Sequence, residues 1–387
     1  MRILYHHRTA SRDGQAVHVD EMVAALRSLG HEVLVVAPTA QGAASMGSDL
    51  RWVAKLRTLI PRWLYELAEL AYSFVAYHRL ARAAREFHPD MIYERYNLFL
   101  LAGLMAKRRF DVPLLLEVNS PLVHERERFG QVALHRLANW AEKKAWQGAD
   151  QVLPVTRVLA RYVIDRGVAE DRVTVISNGV NVEHFATAPR PEAAKEALGL
   201  GGLQVLGFTG FVREWHGIDR VLQWMAETPR SAPLHLLIVG DGPARPDLER
   251  LATTLGVADR VTFTGVIQRS DVPRHVAAFD IALQPAVASY ASPLKLFEYL
   301  ALGKAIVAPR HDNLKEVLED GYNALLFDEN DPDGFGRAVA RLLDDDALRS
   351  ALGKAAARTI AERGLSWEDA ARRVCELGAR HARPATK

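Results

Sequence analysis

The hydrophobic pattern of this chain switches period repeatedly, and that alternation limits the possible fold more than any other feature. In the first half, the short apolar runs Ile3–Tyr5, Glu32–Ala37, Met91–Glu94, Leu114–Val118, Gln151–Val155 and Val173–Ile176 read as strands. Longer stretches with helical spacing separate them, such as Val19–Leu29, Phe99–Arg109 and Ala133–Gln147. The second half repeats the plan with Gln204–Thr209, Leu234–Val239, Val261–Thr264, Ile281–Gln284, Ala305–Ala308 and Ala324–Phe327. Buried strands alternating with helices imply parallel sheets with helical crossovers. At 387 residues the chain exceeds one ordinary core, so two domains are expected. The break is expected near Asn178–Pro191, where Asn-Gly-Val-Asn runs into a Pro- and Ala-rich stretch. Two α/β, Rossmann-like domains facing each other follow, over 1–185 and 186–365, with ligands expected in the interdomain cleft at the carboxyl ends of both sheets.

Composition narrows the chemistry. Hydrophobic residues make up 49% and charged residues 25%, as in soluble globular proteins. A net charge of +2 without a long like-charge tail gives no reason to expect nucleic acid as a partner. The single cysteine, Cys375, excludes an internal disulfide framework and fits a reducing compartment. No apolar run approaches a membrane span, and Met1-Arg-Ile-Leu-Tyr5 reads as a strand rather than a signal peptide, so a cytoplasmic protein is expected. Gly14-Gln-Ala-Val-His18 lacks the G-x-G-x-x-G fingerprint, which argues against hydride chemistry on a dinucleotide. There is no Walker lysine motif, Cys/His metal cluster or G-x-S-x-G elbow, and neither a cofactor nor a metal is expected.

The densest chemical signal is Ala291-Ser-Pro-Leu-Lys-Leu-Phe-Glu-Tyr-Leu-Ala-Leu-Gly303. Ser292 suits an N-cap and Pro293 the first helical position, where its missing N–H costs nothing. Free backbone N–H groups and the helix dipole at such a start attract a phosphate. Lys295 opposes that dipole, which makes sense if an anion sits between them. Glu298 follows at i+3 on the same face, placed to accept from a ribose diol. The competing reading is a surface Lys–Glu pair, but Leu294, Leu296, Phe297, Tyr299 and Leu300 surround the charges with apolar neighbours.

Further motifs stand in order along the chain: Gly30-His-Glu-Val33, Ser177-Asn-Gly-Val180, Thr209-Gly-Phe-Val-Arg-Glu-Trp-His-Gly217, Val239-Gly-Asp-Gly-Pro243, Val261-Thr-Phe-Thr-Gly265 and Gly303-Lys-Ala-Ile-Val307. Together with Ser292–Glu298 they resemble glycosyltransferase family 4, retaining sugar transferases of the GT-B fold, over nearly the whole chain. The similarity is nearest to bacterial enzymes that build exopolysaccharide, lipopolysaccharide or other surface glycans. It implies a nucleoside-diphosphate-sugar donor, UDP being the nucleotide it favours, a glycan or lipid-linked glycan acceptor, and a terminal helix (366–387) that returns to the first domain.

The resemblance also implies roles. The second glutamate of the family's E-x7-E motif falls on Glu298, which would hold the donor ribose; the first falls on Tyr290, so that carboxylate is missing. The family's diphosphate-clamping Arg and Lys fall on Phe211 and His216, leaving Arg213 and Lys295 as the nearest replacements. Gly210, Gly240, Ser292, Pro293 and Leu294 would line the donor site, with Val266 and Ile267 meeting the nucleobase through backbone contacts. In the first domain the turn at Gly14 and His18 are expected to face the sugar or diphosphate, and His18 alternatively caps the first helix. A family histidine falls on Arg95. Arg95, Glu94, Asn119 and Glu125 follow strands and are placed to orient sugar or acceptor, against the alternative of a structural ion pair for Arg95 and Glu94. The catalytic set is therefore Lys295, Arg213, Glu298 and Arg95, acting on a growing diphosphate charge without a metal.

Residues 51–87 combine Arg51, Lys55, Arg57, Arg62, Arg79, Arg82 and Arg85 with Trp52, Leu56, Leu59, Ile60, Trp63, Leu64 and Tyr65. Such segments lie in an anionic bilayer interface, or pack as amphipathic helices with snorkelling arginines. The sequence leaves both open.

Overall fold

All but one of the expected apolar runs become parallel strands. The computed structural model describes residues 1–9, 14–38 and 60–381, which divide into two α/β units, Met1–Ser177 with Ala370–Lys387, and Asn178–Asp369. The first unit holds β1 (Arg2–His6), β2 (Glu32–Val36), β3 (Met91–Arg95), β4 (Leu114–Val118) and β5 (Gln151–Pro154), in the order β2-β1-β3-β4-β5. Every neighbouring pair is parallel. β3 and β4 are buried along their whole length, as their unbroken apolar character requires. The register sets His6 beside Glu94 and Arg95 beside Glu117, so four ionisable residues meet at one end of the sheet.

The second unit holds β6 (Gln204–Thr209), β7 (Leu234–Val239), β8 (Val261–Phe263), β9 (Ile281–Leu283), β10 (Ala305–Pro309) and β11 (Leu325–Phe327), in the order β11-β10-β9-β6-β7-β8. It too is wholly parallel. One core cluster gathers Phe279, Phe297, Tyr299 and Leu300, and another gathers Phe208, Ile218, Leu222 and Phe335.

Two expectations need correction. Val173–Ile176 is not a strand: Val173 makes a single bridge to Val152, and Thr174 and Ile176 donate to β5 carbonyls without a continuous ladder. The chain changes units at 177/178 rather than 185/186. Val180 already bridges Ser366, and Phe185 is packed in the second unit's core, which explains the earlier crossing. In the helix Trp367–His381, the part from Ala370 onward belongs to the first unit. There a Cβ on Gly378 would stand only 2.2 Å from Met91 Sδ, so the glycine permits close approach.

The 26-residue helix Arg62–Phe87 packs in the first unit with its polarity reversed over its amino-terminal half, while Ala76, Leu80, Ala81 and Ala84 are buried in the rest. Its inward residues include Glu66, Glu69 and Ser73, while Trp63, Leu64, Leu67, Phe74 and Val75 are exposed. Each inward polar group is answered. Glu66 accepts from the backbone N–H of Ala133 and Leu134, both at 2.7 Å. Glu69 pairs with Arg126 and Arg8, and Ser73 Oγ donates to the Phe99 carbonyl. Buried polar groups with complete partners hold a face inward as firmly as apolar ones do. Of the membrane-type segment, Arg51, Trp52, Lys55, Leu56, Arg57 and Leu59 lie outside the described residues.

Candidate functional site

In each sheet the strand order reverses once, between β1 and β3 in the first and between β6 and β9 in the second. Parallel α/β sheets bind ligands beyond the carboxyl ends of strands at such points. The second unit places its clearest chemistry there. Gly210 directly follows β6, and the loop after β9 leads to the helix Leu294–Ala301. Lys295 reaches back so that its Nζ lies 3.8 Å from the centroid of the Phe208 ring. A Cβ on Gly210 would stand 3.3 Å from Lys295 Cε and 3.4 Å from Nζ, and its φ of 129° is unsuited to side chains. Gly210 thus leaves the lane along which the lysine runs.

Two further glycines bring backbone against backbone. A Cβ on Gly240 would meet the Gly210 carbonyl oxygen at 2.1 Å, and one on Gly242 would meet the Val212 oxygen at 2.1 Å. Gly240 also bridges Gly265, which introduces Val266 and Ile267. Val266 is 85% exposed, whereas Ile267 packs against the core.

The charges here are poorly balanced. Burial pushes the Lys295 ammonium down to about 7, opposed only in part by Glu298. Burial likewise pushes the Glu298 carboxyl up to about 7, with Lys295 and Arg269 acting in the other direction. The helix start has no side-chain cap, so its first N–H groups still call for acceptors. That start differs by one residue from the expected one: Pro293 is the N-cap, with extended ψ of 123°, and Leu294 opens the helix. The reason is the preceding loop, where Asn178 Nδ2 donates to the Ser292 carbonyl at 2.6 Å and keeps Ser292 outside the helix.

Arg213 follows on the loop after β6. Its guanidinium stacks 4.7 Å from the Phe211 ring and 4.9 Å from the Trp215 ring, both of them exposed. Arg213 N–H donates to His216 Nδ1 at 3.2 Å. Burial, then Lys295, then Arg213 drive the His216 pKa down to about 2, so the imidazole is neutral. His216 therefore serves as an acceptor that shapes the loop rather than as a cation. Tyr290 is half-buried on the loop before the helix.

The first unit gathers a different group. Glu117 Oε2 accepts from His18 Nε2 at 2.8 Å and from the Tyr93 hydroxyl at 2.6 Å. Its Oε1 accepts from Arg95 and from Asn119 Nδ2. Burial alone would raise its pKa, yet His18, Arg95 and these hydrogen bonds hold it well below the usual carboxylate range. Glu94 accepts from His6 Nδ1 at 2.5 Å and lies against Gly103, whose absent Cβ would sit 2.6 Å from Glu94 Oε2. The register and these contacts bring His18, Arg95 and Asn119 together around Glu117, with Glu94 committed to His6. Glu125 sits apart, half-buried in the first turn of the helix Leu122–Arg128. His18 does not cap the first helix, Gly14–Ser28, because it lies one turn inside it, bonded to Glu117. Gly14 is that helix's first residue, and 10–13 lie outside the described residues.

Sequence reasoning missed Glu117 as a hub, along with His6, Tyr93, Phe208 and Asn178. A lone glutamate inside Leu-Leu-Leu-Glu-Val was the available signal, since a buried charge requires partners. Among the described residues no group of three or more His, Cys, Asp or Glu is placed to hold a metal ion.

Comparison with known proteins agrees with this anatomy. Residues 12–184 match the family model described as Glycosyltransferase Family 4, and 204–345 match Glycosyl transferases group 1. A D-inositol 3-phosphate glycosyltransferase of Mycobacterium ulcerans is 30% identical over 79% of this chain and 67% of its own. An alpha-D-kanosaminyltransferase of Streptomyces kanamyceticus is 27% identical over 65% of this chain and 67% of its own. Among solved structures, Anabaena HepE in complex with UDP-glucose superposes with a TM-score of 0.74 at 19% identity, covering 98% of this chain and all of that one. The sucrose-phosphate synthase of Thermosynechococcus elongatus gives a TM-score of 0.75 at 19% identity, covering 98% of each chain. The architecture is thus GT-B, the two wholly parallel sheets are its two Rossmann-like halves, and this chain belongs to glycosyltransferase family 4.

Proposed function

We propose that this glycosyltransferase moves a hexose from a nucleoside-diphosphate sugar, with UDP as the favoured nucleotide, to a glycan or lipid-linked glycan, keeping the anomeric configuration. The observation that carries the reading is the under-balanced pair Lys295 and Glu298 at an uncapped helix start beside Gly210. A diphosphate supplies the negative charge that Lys295 and the helix start lack, and a ribose diol supplies the donors that a half-buried carboxylate at 298 calls for. Arg213, fixed between two rings, supplies a second cation.

In the reaction, the bond from the anomeric carbon to the β-phosphate oxygen breaks as the acceptor oxygen attacks from the same face. The acceptor proton passes to the departing phosphate oxygen, so no enzymic nucleophile is needed. Charge grows on the diphosphate, and Lys295, Arg213 and the helix start stabilise it. These basic groups take the part that a divalent metal plays elsewhere, so activity is expected to survive EDTA. Arg95, Asn119 and Glu125 of the first unit are proposed to orient sugar or acceptor, with Glu117 holding Arg95 and His18 in place. We place the enzyme in the cytoplasm, at the inner face of the plasma membrane, in surface-polysaccharide synthesis.

Calorimetry with UDP, GDP and ADP, followed by donor hydrolysis and NMR of the product anomer, tests the reading. Failure to bind any of the three would favour a non-catalytic transferase-like subunit. Conversion of the donor to an isomer would favour a GT-B sugar-nucleotide epimerase.

A further inference from the structure

Over residues 62–75 the helix Arg62–Phe87 carries its apolar side outward, whereas from Ala76 on it buries Ala76, Leu80, Ala81 and Ala84 in the ordinary way. Positions 63, 64, 67, 68, 71, 74 and 75 fall within an arc of about 140° and span about 18 Å along the axis. They are Trp63, Leu64, Leu67, Ala68, Ala71, Phe74 and Val75, and all are exposed, Phe74 to 61% and Trp63 to 49%. No polar residue interrupts this stripe.

The orientation is enforced, since Glu66, Glu69 and Ser73 are bonded on the opposite side. Rotating the helix to hide the stripe would turn Glu66, Glu69 and Ser73 out of their sites and break all three sets of bonds. At its amino end Arg62 donates to the Gly130 carbonyl, which brings the neighbouring Phe129, itself 57% exposed, to the same part of the surface. Beyond the stripe, Arg82 and Arg85 are exposed, and Glu86 is the helix's only exposed carboxylate.

We propose that this face, with Phe129, docks on an anionic lipid bilayer. A helix face with aromatic and aliphatic residues outward and arginines at its ends matches the acyl–headgroup boundary, where apolar side chains enter and cations meet lipid phosphates. Arg82 pairs with Glu86 at 3.3 Å, so Arg62 and Arg85 carry the uncompensated positive charge at the two ends, and this charge selects an anionic surface over a second copy of the chain, which would bring like charges together. The proposal deepens the membrane part of the function proposed above and rests on it. The variants below change no residue of the nucleotide site proposed above, since the stripe belongs to the first unit and Lys295 to the second.

Sedimentation of the full chain with phosphatidylcholine vesicles, with and without phosphatidylglycerol, tests it. The chain is expected to pellet with the anionic vesicles about tenfold more tightly than with neutral ones, and the combined Trp63→Ser and Phe74→Ser variant should lose about tenfold or more of that binding. The double variant should keep its melting temperature, because both side chains are exposed. Replacing Arg82 and Arg85 by Gln should weaken binding at low salt with the apolar stripe intact. Absence of pelleting with either vesicle, or binding unchanged in the double serine variant, overturns the proposal. So does self-association in analytical ultracentrifugation that this variant abolishes. UDP calorimetry on the same variant without lipid keeps the outcomes separate: lost vesicle binding with intact UDP binding concerns this face alone.

Discussion

The carboxyl ends of the two sheets hold buried charge in opposite conditions. In the first, Glu117 receives four donors and remains ionised despite its burial. In the second, Lys295 and Glu298 are driven toward neutrality, each to about 7, and the adjoining helix start lacks a cap. Both groups occupy the same topological position. Burial alone therefore does not distinguish the two groups; the completeness of charge compensation does, and the function proposed above assigns the ligand to the incomplete one. The saturated group stiffens its loops, and the unsaturated one awaits a partner.

The harshest test of this contrast is Glu117→Ala. Removing the hub strands Arg95 and His18 in a buried setting, and the variant should lose about 3–5 kcal/mol of stability in denaturant unfolding. A normal melting temperature combined with lost UDP binding would reverse the assignment of the two groups. Lys295→Met should do the opposite. Turnover should fall about 100-fold or more, while the melting temperature holds or rises, because a desolvated cation gives way to an apolar chain. A marked fall in stability with turnover intact would put Lys295 in the structural class.

Gly240→Ala probes the surface under the site. Its φ of 136° and the nearby Gly210 oxygen leave no room for a methyl group, so a loss of about 1–3 kcal/mol is expected in thermal unfolding. UDP binding should weaken in the same variant, since the Gly210 loop must shift.

The mildest test is pH. The folded Lys295 titrates near 7 rather than 10.5, so between these values the unfolded chain binds more protons and stability rises with pH. Glu298 titrates near 7 rather than 4.5, so the folded chain binds more protons in that window and stability falls as pH rises. Together they produce a shallow minimum near pH 7 in the ligand-free protein. A bound diphosphate re-protonates Lys295, so above pH 7 UDP-glucose affinity should weaken by up to about tenfold per unit. Calorimetry in buffers of different ionisation enthalpy should show proton uptake at pH 8. Affinity flat from pH 7 to 8.5 would show that Lys295 is already fully charged without ligand.

The second-unit group was legible in the sequence because its parts are local. Lys295 and Glu298 share a helix face, and Arg213 and His216 share one loop. Only the helix start was displaced, by the long-range Asn178–Ser292 bond that no local rule contains. The first-unit group was only half legible. Glu94, Arg95 and Asn119 stand at strand ends, but the hub joins residues 99 and 24 positions apart. The sequence marked 51–87 as a cationic, Trp-bearing helical stretch and left bilayer binding and packing both open; the helix bounds 62–87 came from the structure. The sequence did not say which face turns inward, because the answer depends on Arg126, Arg8 and the N–H groups at 133–134.

The meeting of Gly210, Gly240 and Gly242 carries a consequence for how such enzymes diverge. The floor beside Lys295 is made of main chain, which a side-chain substitution cannot alter without displacing backbone. The projecting rim, Phe211, Trp215 and Val266, is free to vary. Substitutions in a lineage can then accumulate at the rim while the backbone floor is inherited unchanged.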